Sequence, residues 1–328
     1  MVNPPLPLVL IGRTLPEGWL ASLDGRVRTV TGASGIASLT DHLAEAEGLF
    51  TLLTDRVDEA LLGQAPRLRV VSNMAVGVDN IDLAACTRRG LPVGNTPGVL
   101  TESTADMTMA LLLSAARRLP EASADAKAGR WTTWSPTGWL GADLNGATLG
   151  IVGMGKIGAA VAARAQGFGL RIIYASRSAH PEVEARLSAI RVTLETLLRE
   201  SDFVSLHVPL TAETRGLIGE QALRAMKPTA ILVNAARGPV VEAAALYRAL
   251  SEGWIAGAAL DVTDPEPLPP DHPLYRLGNC LIARTSARRR TGRADAWPSA
   301  PAGICWPGWR GSACRTVLTR RCMDEAGM

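Results

Sequence analysis

Short unbroken apolar runs alternate along the chain with longer segments of helical period. Leu8 to Gly12, Gly48 to Leu53 and Leu68 to Ser72 predict a first set of strands, followed by Leu91-Pro92-Val93-Gly94-Asn95. A second set begins at Thr148-Leu149-Gly150-Ile151-Val152. It continues at Arg171 to Ala175, Phe203 to His207, Ala230 to Asn234 and Gly257 to Asp261. This alternation predicts an α/β protein built on parallel sheets with helices on both faces. Between the sets, Thr101 to Leu119 predicts one long helix, with Thr101-Glu102-Ser103-Thr104 as its cap and an apolar run from Met107 to Ala116. Gly129 to Gly146 is rich in Trp and Gly and has no clear period. Cys280-Leu281-Ile282-Ala283 predicts one further buried strand. No internal repeat is visible.

With 328 residues, the chain has room for two domains of about 150 residues each. Apolar residues make up 47% and charged residues 20%, the balance of a globular protein with a sizeable core. A net charge of only +3 implies no general attraction to nucleic acid or membrane. The excess is uneven, with nine Arg, no Lys and three acids from Arg284 onward. The preceding residues are therefore slightly acidic. The start, Met1-Val2-Asn3-Pro4-Pro5-Leu6-Pro7, lacks the basic and apolar pattern of a signal peptide. No apolar stretch reaches the roughly 18 residues of a membrane helix. The five Cys have no metal-like spacing, no metal site is expected, and a reducing cytoplasm is the simplest compartment.

Ile151-Val152-Gly153-Met154-Gly155-Lys156-Ile157-Gly158 fits G-x-G-x-x-G. The pattern is weak alone, but here it follows an apolar strand and opens the Ala-rich helix Ala159 to Gln166. Gly153 permits the tight turn, Gly155 lets the backbone approach a pyrophosphate, and Gly158 permits close packing of helix on strand. Lys156 and Ile157 complete the turn, whose helix N-terminus offers N–H groups and a positive dipole to phosphates. An acid about 20 residues on would hold the ribose hydroxyl of NAD. Tyr174-Ala175-Ser176-Arg177-Ser178 stands there instead. Arg177 can pair with a 2′-phosphate and Ser176 can donate to it, which favours NADP(H) over NAD(H). The competing reading is a surface Arg beside a pocket that accepts both.

Three further segments gain meaning together. Val233-Asn234-Ala235-Ala236-Arg237-Gly238 places Arg237 beyond a strand's C-terminal end, where ligands bind in such sheets. Asp261-Val262-Thr263-Asp264-Pro265-Glu266-Pro267 places Asp261 and Glu266 at the end of the next strand. Ser72 to Asp82 is a Gly-containing loop in the first half. Singly, Arg237 reads equally as a structural ion-pair residue, and Glu266 as a surface acid.

In combination these segments, from Ser72 to Ile282, resemble the D-2-hydroxyacid dehydrogenases. The likeness is strongest to their glyoxylate/hydroxypyruvate reductase branch, which includes 2-ketogluconate reductases. Gly129-Arg130-Trp131-Thr132-Thr133-Trp134 resembles that branch in particular. The resemblance implies two Rossmann-like doubly wound domains with an active-site cleft between them. Residues 1–101 would form the substrate-binding domain, normally completed by the C-terminal segment, and residues 102–284 the NAD(P)-binding domain. By the same resemblance, Arg237 clamps the substrate carboxylate and carbonyl, and its planar fork suits a 2-oxo acid. Backbone groups around Val76 and Gly77 hold the same carboxylate. Glu266 orients a catalytic His and raises its pKa. Asp261 is the nicotinamide-side acid. Thr104, His207-Val208-Pro209, Thr214 and Ala235 line the cofactor. Trp139 lies in the loop that reaches the partner subunit's active site, and a homodimer is implied.

One expected element is missing. Hydride delivery to a ketone leaves charge on oxygen, and the family protonates it with a His in a Pro-His-x-Gly/Ala-Ser segment just after the strand ending near Ile282. Here Arg284-Thr285 occupy those places, and Thr285 is no acid near neutral pH. His42, His180, His207 and His272 are the four histidines, and none stands in a position to replace it. The segment Ala283-Arg284-Thr285-Ser286-Ala287-Arg288-Arg289 is compatible with GCN-CGN-ACN-TCN-GCN-CGN-CGN. One base added after the first codon permits Ala-Pro-His-Ile-Gly-Ser-Ala, the absent segment. The same shift from Ile304 to Thr316 permits Asn-Leu-Leu-Ala-Gly-Leu-Ala-Gly-Glu-Arg-Leu-Pro-His, with the apolar spacing of a closing helix. Residues 285–328 therefore read as an aberrant, disordered basic tail translated out of frame. Two alternatives stand beside that. One is a genuine tail that binds an acidic partner or nucleic acid through Arg288-Arg289-Arg290 and Trp297, Trp306 and Trp309. The other is a non-catalytic NADP(H)-binding protein.

Overall fold

The computed structural model describes residues 5–283. The aberrant tail read at 285–328, its disorder and the position of Thr285 lie outside the described residues. The chain divides between Leu100 and Thr101 into two compact units.

The first unit carries a five-stranded parallel sheet. Its strands are β1 (Leu8–Ile11), β2 (Arg28–Thr31), β3 (Gly48–Thr51), β4 (Val70–Asn73) and β5 (Val93–Gly94), in spatial order β2-β1-β3-β4-β5. β1, β3 and β4 are buried along their whole length, as strands covered on both faces must be. One face packs Leu10, Leu49 and Val71 against Leu43, Leu62 and Cys86 from the helices. The other gathers Val9, Ile11, Phe50 and Val70. Cys86 is fully buried, and that burial pushes its thiol up to about 11, so it stays a neutral core group.

The second unit carries seven parallel strands: β6 (Thr148–Val152), β7 (Arg171–Ala175), β8 (Ile190–Arg191), β9 (Phe203–Leu206), β10 (Ile231–Asn234), β11 (Gly257–Leu260) and β12 (Cys280–Ile282). Their spatial order is β12-β11-β10-β9-β6-β7-β8. The chain winds outward from β6 to one edge, then returns to β9 and winds to the other. The order thus reverses between β6 and β9, and there the strand ends leave a crevice for ligands. Both fold expectations, parallel α/β sheets and two doubly wound units, are met.

Two elements differ from expectation. The helix expected from Thr101 to Leu119 ends at Ala116, and a second helix runs from Leu119 to Lys127. Arg118 between them takes a left-handed backbone, φ 50°, and Pro120 sits in the first turn of the second helix. A proline there has no N–H to continue the first helix, and the first turn of a new helix is where none is needed. Strand β12 forms as expected, but it is half-buried rather than buried, and among the described residues it lies at the sheet edge, paired with β11. Strands β2 and β8 went unread because they lie at sheet edges. β2 is Arg-Thr-Val-Thr, largely exposed, and β8 is two exposed residues.

Asp202 fastens the N-terminal ends of three neighbouring strands. It accepts from the Thr148 N–H at 2.9 Å and the Lys227 ammonium at 2.8 Å, and its own carbonyl accepts from Ile231. Burial opposes its ionisation, but Lys227 and the Thr148 N–H outweigh that and hold its pKa below the usual value. A depressed carboxylate stabilises the fold above its unfolded pKa, and the contribution is lost as pH falls through the folded pKa. Asp202→Asn is expected to lower unfolding stability at pH 7 by about 1 kcal/mol, discounted for the solvent exposure of the pair. The gap between variant and parent in urea melts should close below about pH 4. A gap of equal size at pH 3 and pH 7 would refute this.

Candidate nucleotide and oxo-acid site

The turn after β6 is built by close contacts. Gly153 has φ 98°, and a Cβ there would stand 2.8 Å from the His207 backbone. At Gly158 a Cβ would stand 2.3 Å from the Gly153 carbonyl oxygen, so only hydrogen lets the helix Lys156–Gln166 sit this close to the turn. Gly155 is different in kind. A Cβ there meets nothing within 4 Å, so the space before it is open. Gly155 is the N-cap and no side chain caps the helix, which leaves its first N–H groups directed at that space. Arg164 of the same helix pairs with Glu102 and Asp106, locking it to the helix Thr101–Ala116.

That second helix brings Thr104, whose hydroxyl is buried with no hydrogen-bond partner among the described residues. A buried hydroxyl without a partner costs free energy that a ligand can recover. The open space before Gly155, the uncapped helix start and this hydroxyl fit a dinucleotide bound at the strand reversal.

At the end of β7, Ser176 is half-buried and Arg177 exposed. Two residues that the sequence does not tie to this corner support it. Arg191 Nη2 donates to the carbonyls of Ser176 and Arg177 at 3.0 and 2.8 Å. His180 Nε2 stands 3.5 Å from Ser176 Oγ. The only hint in the sequence is that both are basic. Arg177 forms no ion pair among the described residues. Its charge is felt by Glu213, whose pKa is lowered mainly by the Thr211 hydroxyl and slightly by Arg177.

The loop after β9 carries His207, Val208 and Pro209. His207 Nε2 lies 2.8 Å from Ser205 Oγ. Thr214 Oγ1 donates to the Pro209 carbonyl at 2.6 Å and accepts from the Thr211 N–H, so Thr214 stitches the loop closed. After β10, Ala235 is buried and Arg237 half-buried. Asn234 donates to the Arg237 carbonyl, which fixes the backbone from which the guanidinium projects. After β11, Asp261 is completely buried. Glu266 does not stand at the strand end with it but farther out, exposed between Pro265 and Pro267, because neither proline can extend a strand ladder. His272 caps a short 3-10 turn and accepts from the Leu274 N–H. His42 is exposed in the first unit.

Trp139 is exposed, with its Nε1 3.4 Å from Asp125 and its ring under the Arg118 guanidinium at 4.8 Å. Val76 and Gly77 lie in the first unit, in the loop after β4, with Val76 exposed. No group of three or more His, Cys, Asp or Glu among the described residues could hold a metal. No helix of the described residues is long and apolar enough to cross a membrane.

Residues 109–284 match the family described as D-isomer specific 2-hydroxyacid dehydrogenase, NAD binding domain. A glyoxylate reductase from Aeropyrum pernix is 55% identical over 260 residues, 77% of this chain and 78% of that protein. One from Korarchaeum cryptofilum is 50% identical over 286 residues, 86% of each. The crystal structure of an NADPH-dependent glyoxylate/hydroxypyruvate reductase from Sinorhizobium meliloti, in complex with NADP and malonate, superposes with a TM-score of 0.84. It is 30% identical and the match covers 95% of this chain and 96% of that one. By sequence and by fold, this chain belongs to the D-isomer-specific 2-hydroxyacid dehydrogenases.

Proposed function

We propose that this protein reduces small 2-oxo acids to D-2-hydroxy acids, with NADPH favoured over NADH. Glyoxylate and hydroxypyruvate head the substrates, and 2-ketogluconate is a larger candidate. The observation that carries the reading is the glycine turn at 153–158 followed by strand β7, after which Ser176-Arg177 stand where an NAD site would carry an acid. The relatives named glyoxylate reductase support the substrate class. The nicotinamide, when bound, supplies the hydride.

The residues of this chain hold, orient and polarise. The helix N-terminus at Lys156 to Gly158 takes the pyrophosphate, and the Thr104 hydroxyl gains a partner. Ser176 and Arg177 take the 2′-phosphate. The loop at His207, Val208, Pro209 and Thr214, with Ala235 and Asp261, lines the remainder of the nucleotide. Arg237 grips the carboxylate of the oxo acid and polarises its carbonyl. The Val76–Gly77 loop takes the same carboxylate through its backbone. Glu266 orients the proton-donating His of the family. A homodimer accompanies this reading: Trp131 and Trp134 are 74% and 78% exposed, aromatic surface of the kind that a second subunit covers, with Trp139 in the same segment.

For the chain as written, turnover is strongly reduced. In the sequence Thr285 takes the place of the donor, and the family match ends at residue 284, where the basic run begins. A one-base loss near codon 284 accounts for both. Thr285 also supports a second reading, a non-catalytic NADP(H)-binding protein. Titration of nucleotide fluorescence beside a glyoxylate-reduction assay separates the two. Slow but measurable turnover supports the enzyme, and tight binding with none at all supports the second.

Cofactor choice has its own test. Arg177→Ala removes a charged hydrogen bond of about 1.5–3 kcal/mol. NADPH affinity should fall about 10–100-fold while NADH affinity moves less than about two-fold. Equal losses for both nucleotides would remove Arg177 from the 2′-phosphate.

A further inference from the structure

The loop that joins β4 to the next helix presents three successive backbone N–H groups, and side-chain amides dictate where two of them point. The Ala75 carbonyl accepts from the Thr96 N–H at 3.0 Å. The Val76 carbonyl accepts from Asn95 Nδ2 at 2.8 Å. The Gly77 carbonyl accepts from Asn73 Nδ2 at 3.0 Å. Three carbonyls in a row are thus tied down. In a planar trans peptide the N–H points opposite to the C=O of the same unit. Tying the carbonyls of 75, 76 and 77 therefore turns the N–H groups of Val76, Gly77 and Val78 the other way. Those three N–H groups meet no acceptor among the described residues. Val76 is exposed and its two successors half-buried, so the trio is reachable by solute. Consecutive N–H groups that converge without acceptors make an anion-binding concavity.

The amides are themselves held. Asn73 is buried, and its Oδ1 accepts from the Thr51 hydroxyl at 3.0 Å while its Nδ2 also donates to Asn80 Oδ1 at 3.1 Å. Asn80 is anchored in turn by the carbonyls of Asp55 and Leu52 at 2.8 and 3.1 Å. This chain of donors leaves Asn73 one orientation, with its NH2 toward Gly77. Asn95 is fixed by elimination, since its reverse orientation would set Oδ1 against the Val76 carbonyl. A loop with free carbonyls could rotate its peptide units and lose the N–H array, at a cost to anion affinity.

We infer that Asn95 and Asn73 are positioning residues of the substrate-carboxylate site, acting by capturing the Val76 and Gly77 carbonyls so that the N–H groups of Gly77 and Val78 face the carboxylate beside that of Val76, which the Thr96 N–H sets through the Ala75 carbonyl. The inference rests on the proposed reading of this loop as the carboxylate-binding loop. Neither side chain touches the oxo acid; each sets the direction of a backbone donor.

The probe is oxamate, a 2-oxo-acid analogue that cannot be reduced, titrated into the full chain in the presence of NADPH and followed by nucleotide fluorescence. Asn95→Ala should weaken oxamate about ten-fold. Asn95→Asp, which keeps the shape but offers no donor, should weaken it at least as much. Asn73→Ser serves as a second site on the other carbonyl. NADPH affinity should stay within two-fold, and for Asn95→Ala the melting temperature should stay within about 2 °C. If the parent binds NADPH but no oxamate, the oxo-acid reading of the loop fails, and this inference with it. If the parent binds oxamate and the Asn95 variants bind it equally well, only the positioning role is overturned. If oxamate affinity, NADPH affinity and melting temperature fall together in Asn95→Ala, Asn95 is structural and the inference is overturned.

Discussion

Adding one base after codon 283 is expected to raise NADPH-dependent glyoxylate turnover about 10²–10⁴-fold over the chain as written, the usual worth of a positioned general acid. The added base changes Arg284→Pro and Thr285→His and continues through Ser286→Ile, Ala287→Gly, Arg288→Ser and Arg289→Ala. A hydride arriving at the oxo carbon leaves the oxygen as an alkoxide unless a proton meets it. Thr285 is far too weak an acid to supply one near pH 7. The other histidines are engaged elsewhere. His207 is oriented by Ser205, His272 caps its own turn, His180 stands beside Ser176, and His42 is exposed in the first unit. In the restored chain, turnover should fall as pH rises through the range where a histidine loses its proton, because the acid form does the work. The comparison needs only NADPH oxidation at saturating nucleotide, with binding measured alongside. Equal turnover in the two chains would show that the acid lies among the residues before 284. Higher turnover with unchanged NADPH affinity would locate the defect in proton delivery.

The parts of this fold that the sequence revealed are those that burial makes unmistakable. β6 is Thr148–Val152 and β7 is Arg171–Ala175, both as expected, because a strand covered on both faces has little freedom in composition. The glycine turn was equally legible, since Gly153 and Gly158 sit where no side chain fits. Legibility failed where solvent relaxes the pattern. β2 and β8 lie at sheet edges with exposed residues, and nothing in Arg-Thr-Val-Thr demands a strand. The helix break at Arg118 was hidden because an unbroken apolar run to Ala116 masks the stop that Pro120 imposes. Within the candidate site, the residues proposed to meet ligand stand out in the sequence by type and motif, and the residues that support them do not. Arg191 reaches the Ser176–Arg177 corner from 14 and 15 residues away, and Asn95 reaches Val76 across 19. Such contacts belong to the packing of strands against one another and leave no periodic trace in the chain.

Gly155→Val should abolish measurable nucleotide binding, an affinity loss of at least about 100-fold, while leaving the fold intact. Gly158→Val should destabilise the fold as well. The two glycines lie three residues apart in one motif, and the difference between them is geometric. At Gly155 the backbone already has φ −76°, which any residue can adopt, and an added Cβ meets no protein atom within 4 Å. Whatever occupies that space is not protein. A valine there fills the approach to the helix N-terminus, where the free N–H groups would otherwise meet a pyrophosphate. Displacing a diphosphate from several charge-assisted hydrogen bonds, each of about 1.5–3 kcal/mol, readily exceeds a hundred-fold. At Gly158 an added Cβ would lie 2.3 Å from the Gly153 oxygen and 3.2 Å from the Ile151 side chain. The helix must then lift from β6, opening the packing of Val161, Ala162 and Ala165 against the sheet, an overpacking cost of about 1–3 kcal/mol or more. Calorimetry and fluorescence titration on the same two proteins read both effects. Normal melting with NADPH affinity lost at 155, against depressed melting at 158, is the expected pair. Normal NADPH affinity in Gly155→Val would mean that the open space before this turn is not where the nucleotide lies, and the placement of the site at the strand reversal would fall with it.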